Sequence, residues 1–192
     1  MGVMLNLGDI VNKATRAAIK RGGSSAITAA ESFITGRFNI QKQELHSRAR
    51  VGKIDEVAKI VQLEFSYKGI PLYKFNGLPR SPIQLGMRRR VTDATADVLR
   101  GYRRGYRGPG GNPGTFVAMM QSGHVGIFYR IGAKKKMTRG RYAGKMKQQI
   151  NELRGPSAQR LFTLAKSKEI MQKDFVQTVQ KRLEHELSWR LK

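Results

Sequence analysis

Apolar residues open the chain at helical spacing. Leu7, Ile10, Val11, Ala14, Ala17 and Ala18 recur every three or four positions, which lays one apolar stripe along a helix. Asp9 near its start suits the positive end of the helix dipole. Gly22-Gly23 predict a break or bend, and Ser24-Ser25 a cap for a second helix reaching about Ile34. The alanines Ala26, Ala29 and Ala30 suit close packing there. A short helix is expected over 40–48.

The middle of the chain changes period. Over 57–65 the positions Val57, Val61, Leu63 and Phe65 are apolar, interrupted by Lys59, with Gln62 and Glu64 between them. Alternation of that kind predicts a half-buried strand. A second strand is expected over 70–75, with Pro71 hinting at an edge position, and a third over 85–92. The clearest hairpin spans 115–131, where Phe116 to Met120 and Val125 to Ile131 flank Gln121-Ser122-Gly123. The glycine stands where a turn needs positive φ. After Ser157, a helix cap, the chain returns to helix. A short helix runs to about Leu164 and a longer one from about Ser167. Met171, Phe175, Val179, Leu183, Leu187 and Leu191 recur along it every four residues, giving one broad apolar side. The order helix, sheet, helix predicts an α+β fold with a central antiparallel sheet flanked by helices. It is expected as one domain over 1–192: a helical region 1–50, a sheet region 51–156 and C-terminal helices 157–192. Two stretches inside the sheet region, 86–114 and 133–147, read as basic loops.

Charge changes the picture most. Lys and Arg number 37 against 13 Asp and Glu, a formal charge of +24 over 192 residues. Self-repulsion of that size opposes compaction unless an anionic partner neutralises it. Nucleic acid is the usual counterpart, because each neutralised phosphate releases counterions. An acidic protein or a membrane surface would also serve. There is no cysteine, which excludes disulfides, thiolate chemistry and cysteine–zinc sites. No apolar run approaches the roughly 18 residues of a membrane span, and Met1 to Leu5 do not read as a signal peptide.

Two basic clusters follow from this. The first is Arg88, Arg89 and Arg90 with Arg100, Arg103, Arg104 and Arg107, interleaved with Tyr102 and Tyr106. Arginine forks onto phosphate, tyrosine stacks on exposed bases, and glycine lets a loop follow an irregular surface. Residues 101–114 hold six glycines and two prolines. The second cluster is Lys134, Lys135, Lys136, Arg139, Arg141, Lys145 and Lys147, and residues 133–147 contain no acid. Mixed Lys and Arg without a base-reading pattern points to non-specific phosphate attraction. The bland alternative for both is a solvated loop, or for the second a surface that meets an acidic protein.

Enzyme signatures are missing. His46, His124 and His185 stand far apart, and the glycines of 108–114 lack the Gly-Lys-Ser/Thr of a phosphate-binding loop. Ser122-Gly123-His124 is not a nucleophile elbow. No cofactor or metal is expected. Gly123 and His124 read as turn or interface residues, and Trp189 with Leu191 as interface residues near the end of the last helix.

The run Thr115 to Arg130, with its Ser122-Gly123-His124 turn and following Gly126-Ile127-Phe128-Tyr129-Arg130 strand, resembles the phage minor tail protein Z family. So does Ile150-Asn151-Glu152-Leu153-Arg154-Gly155-Pro156-Ser157, which is similar to the family's stretch ahead of the C-terminal helices. Together these motifs cover 24 residues. The resemblance implies a virion protein, made in the host cytoplasm, that completes the head-proximal end of a phage tail. It implies a ring of copies, a hexamer by preference, with the tail terminator, tail tube or head–tail connector proteins as neighbours. Phage DNA would pass through without sequence recognition, no membrane would be involved, and no catalytic residue is carried over. The basic insert 134–147 is longer than the family pattern, so DNA and an acidic protein surface both stand as its counterpart. Two other classes compete: a non-specific RNA- or DNA-binding protein, and a nucleic-acid-processing enzyme. The second needs acidic metal ligands, for which Asp93 and Asp97 form the only close pair of aspartates.

Overall fold

A computed structural model describes residues 7–55, 58, 60–78, 80, 83–84, 94–106, 114–140 and 143–190. The fold is α+β, and the described strands form several small sheets. The chain divides into two compact units. The first comprises Met1–Gly36, Gln41–Lys68 and Ser157–Lys192, the second Arg37–Ile40 and Gly69–Pro156.

The first unit is built on helix α1, Leu7–Arg37. The expected break at Gly22-Gly23 does not occur; the helix runs straight through. Both glycines are buried against close neighbours. A Cβ on Gly22 would stand 2.5 Å from Val179 and 3.1 Å from Phe175, and one on Gly23 would stand 3.2 Å from Val51. Close approach of neighbours offsets the roughly 1 kcal/mol that glycine costs a helix. Ser24 is therefore not a cap; its Oγ donates to Lys20 O inside the helix. Ala14, Ala18, Ala26, Ile27, Ala30 and Ile34 line the buried side.

Helix α2, Lys42–His46, lies within the expected short helix. Strand β1, Ala49–Asp55, was not anticipated, because Arg50, Gly52 and Lys53 obscure its alternation. It pairs antiparallel with β2, Ile60–Phe65, with Val51 opposite Leu63. Within β2 the expected alternation holds to Leu63, with Gln62 exposed and Val61 and Leu63 half-buried, but Glu64 is half-buried like Phe65; Val57 and Lys59 lie outside the described residues. Phe65 stacks on Phe162, ring centroids 4.5 Å apart. Phe162 belongs to α3, Ala158–Phe162, which Ser157 caps as expected by accepting from Arg160 N. Helix α4, Ala165–Arg190, starts two residues before the expected Ser167. Met171 is buried, and Phe175, Val179, Leu183 and Leu187 are half-buried along one side.

In the second unit, β3 (Gly69–Pro71) pairs with β10 (Arg154–Ser157), and Leu72–Lys74 follows as a single 3-10 turn. The expected strand over 70–75 is thus cut short, with Pro71 buried at its end. A four-stranded sheet has the order β4 (Ile83–Gln84), β7 (Phe116–Met119), β8 (Val125–Lys136), β9 (Met146–Glu152). β4 runs parallel to β7; the other pairs are antiparallel. The β7–β8 hairpin is the one expected from sequence, with Phe116 opposite Phe128 and Gly123 at φ 78° in its turn. Phe116, Ala118 and Phe128 are buried together, with Met120 and Ile150 packed against them. The third expected strand, 85–92, lies outside the described residues.

Parts of both expected loops are strand; 86–93, 107–113 and 141–142 lie outside the described residues. Within 86–114, β5 (Thr95–Leu99) and β6 (Tyr102–Gly105) make an antiparallel hairpin. Within 133–147, β8 runs to Lys136 and β9 starts at Met146, which leaves 137–145 as the connection. Glycines at turns create both: Gly101, Gly140 and Gly144 all have positive φ, a conformation that glycine adopts without steric cost.

Candidate nucleic-acid interface

The distal halves of β8 and β9 form a two-stranded basic ribbon. Lys135 lies opposite Lys147, and Lys136 opposite Met146. Met137 N donates to Lys145 O and Gly144 N to Met137 O, which closes the ribbon at its tip. A register shift between Ile131 and Lys135 marks a bulge, and Gly132 occupies it at φ 58°. The amide of Gln148 donates to Gly132 O at 2.6 Å and holds the bulge. Residues 132–140 and 143–146 are all exposed. The ribbon thus exposes Lys134, Lys135, Lys136 and Lys145, with Arg139 in the turn and Lys147 half-buried. Arg141 lies outside the described residues.

The second basic hairpin is β5–β6. Arg104 sits over the Tyr102 ring, 4.8 Å from its centroid, and also donates to Tyr102 Oη at 3.3 Å. That hydrogen bond, and then the charge behind it, hold the Tyr102 hydroxyl below its ordinary pKa. One face of the ring is therefore occupied by a guanidinium, and Tyr102 as a whole is exposed. Arg103 donates instead to Thr95 Oγ1 at 3.4 Å. Burial pushes the Tyr106 hydroxyl up. Arg88, Arg89, Arg90 and Arg107 lie outside the described residues.

The two described acids of this unit are bound within it. It holds 19 of the 37 Lys and Arg but only three of the 13 Asp and Glu: Asp93, Asp97 and Glu152. Asp97 is buried on β5. It accepts from Asn39 Nδ2 at 3.2 Å and from Tyr102 N at 3.1 Å. Asp97 thus stands on a strand, and Asp93, the other member of the aspartate pair, is outside the described residues. Glu152 lies beside His124 Nε2 at 2.5 Å and Arg154 Nη2 at 2.8 Å. Among the described residues of the unit, both carboxylates are committed internally, and the surface charge is cationic.

Glu152, Gly126 and Arg154 form a site that residue-by-residue reading missed. A Cβ on Gly126 would stand 2.7 Å from Glu152 Oε1, so the glycine makes room for the carboxylate beneath the Ser122-Gly123-His124 turn. The two sequence motifs, 28 residues apart at His124 and Glu152, meet here. The signal was present in the motifs themselves, where a glycine and an acid recur among apolar positions.

Trp189 is 68% exposed near the end of α4, and Leu191 lies outside the described residues. Among the described residues, no cluster of three His, Asp or Glu is placed to hold a metal, and no helix is long and apolar enough to cross a membrane. A model of the family described as prophage minor tail protein Z (GPZ) matches residues 7–192. No curated protein and no solved structure matches the chain.

Proposed function

We propose, from the premise that the chain belongs to the prophage minor tail protein Z family of phage tail structural proteins, that it completes the head-proximal end of the tail. In this role copies of the chain form a ring at the neck, between the tail tube and the head–tail connector, around the path of the DNA. The cationic second unit faces that path. The observation that carries the DNA-facing part is the distribution of charge there. Lys134, Lys135, Lys136, Arg139, Arg103 and Arg104 are exposed, while Asp97 and Glu152 are bound to the unit's own donors. Attraction without base recognition is what a ring around moving DNA requires, since phosphate contacts carry no sequence information.

Induction of a prophage lacking this gene tests the proposal. Filled heads and tails should accumulate without joining into infectious particles, and purified chain added to the lysate should restore infectivity. Normal infectious yield without the chain would overturn it.

A further inference from the structure

We infer that the β8–β9 ribbon seats in the major groove of duplex DNA, with lysines on its two faces set against the phosphates on the two sides of the groove. This rests on the DNA-facing part of the proposed function and specifies its geometry. Successive residues of a strand point to opposite faces, and residues directly opposite across a pair share a face. Lys135 and Lys147 therefore lie on one face, and Lys136, opposite Met146, on the other. By the same alternation Lys134, also in β8, joins Lys136. A flat acidic surface would meet one face of such a ribbon and leave the lysines of the other in solvent. A channel walled by phosphate on both sides meets both, and the major groove, about 12 Å wide, admits a two-stranded ribbon.

The ribbon's energetics support an anionic enclosure. An isolated two-stranded hairpin is marginal in water, and like charges directly opposite destabilise it further. This one has Lys135 against Lys147, and residues 132–140 are exposed. Phosphates on either side would turn that repulsion into attraction. Of the two glutamines of β9, Gln148 is committed to Gly132 O.

Binding of the purified full chain to a mixed-sequence duplex of about 30 bp, followed by anisotropy over a range of salt, tests this. The variants are K134Q/K136Q on one face and K135Q/K147Q on the other, with circular dichroism confirming that each is folded. Each pair should reduce the slope of log affinity against log salt by about 1.8, at roughly 0.9 per phosphate contact. Bound chain should also protect guanine N7, in the major groove, from dimethyl sulfate. Loss of slope in only one pair, or full loss without N7 protection, would overturn the groove geometry but keep DNA contact. A wild-type chain with no salt-dependent DNA affinity, or one that prefers polyglutamate to duplex, would remove both the groove and the DNA-facing reading. The prophage complementation test of the tail role is independent of each outcome.

Discussion

His124 and Glu152 join two motifs that lie 28 residues apart, His124 Nε2 standing 2.5 Å from Glu152 Oε1. Glu152 is at the end of β9, and its other oxygen takes Arg154 Nη2 at 2.8 Å. Leu153 N, between them, donates to Ile127 O on β8, and Leu72 N donates to Leu153 O. The carboxylate thus locks the turn of one hairpin to the strand that leads out of the sheet. The glutamate side chain is 11% exposed, against 40% for the histidine, so water competes for the contact only in part.

Replacing Glu152 by Gln should lower unfolding free energy by about 1–2 kcal/mol, the range for a hydrogen bond to a charged group that keeps some solvent. A double-mutant cycle with His124→Ala, followed by urea denaturation, should return a coupling of at least about 0.5 kcal/mol. Additive effects would mean that the two side chains are neighbours without interaction.

Gly123→Val should destabilise more than His124→Ala. Gly123 adopts φ 78°, and left-handed backbone costs a residue with a Cβ roughly 1–2 kcal/mol; a β-branched side chain is among the worst cases. Space is not the cause, since nothing lies within 4 Å of a Cβ built there. His124→Ala leaves Glu152 its Arg154 partner, so a loss below about 1 kcal/mol is expected. Thermal unfolding of the two variants decides the order, and equal melting temperatures would contradict it.

Two glycines of α1 should respond in opposite directions. Gly36→Ala meets nothing within 4 Å and should gain up to about 1 kcal/mol from helix propensity. Gly22→Leu should lose stability, because even its Cβ would stand 2.5 Å from Val179 and overpacking typically costs about 1–3 kcal/mol. Melting temperatures of the two variants check this, and a stabilised Gly22→Leu would show that α4 does not pack on α1 at that point.

The glycine pair also shows where sequence reading reached its limit. Helical periodicity over Leu7 to Ala18 and over Met171 to Leu187 was legible, because one apolar side suffices to mark such helices. Continuity through Gly22-Gly23 was not, because it depends on Val179, Phe175 and Val51 arriving from distant segments. The β7–β8 hairpin was legible in its alternation and its glycine. Strands in the stretch from Ala133 to Lys147 were not, since lysine carries no strand signal and pairing alone orders them. The Ser157 cap was local and therefore readable. Of the candidate site, the basic residues were evident from composition, whereas inward placement of Asp97 and Glu152 is tertiary information that no spacing contains.

The end of α4 is expected to serve docking. Trp189 is 68% exposed, and a buried aromatic anchor in an interface is commonly worth about 2 kcal/mol or more. Deletion of residues 188–192 should leave a soluble chain with near-normal melting temperature that fails to restore infectivity to a lysate lacking it. Full restoration would show that the helix end is not a docking element; insolubility would place those residues in the chain's own core.

The position of the chain in the virion tests the account most directly. Particles carrying a gold-labelled copy, viewed by electron microscopy, should show label at the head-proximal end of the tail, at the junction with the head. Label at the distal tip, spread along the tube or absent from purified virions would contradict the tail-completion role.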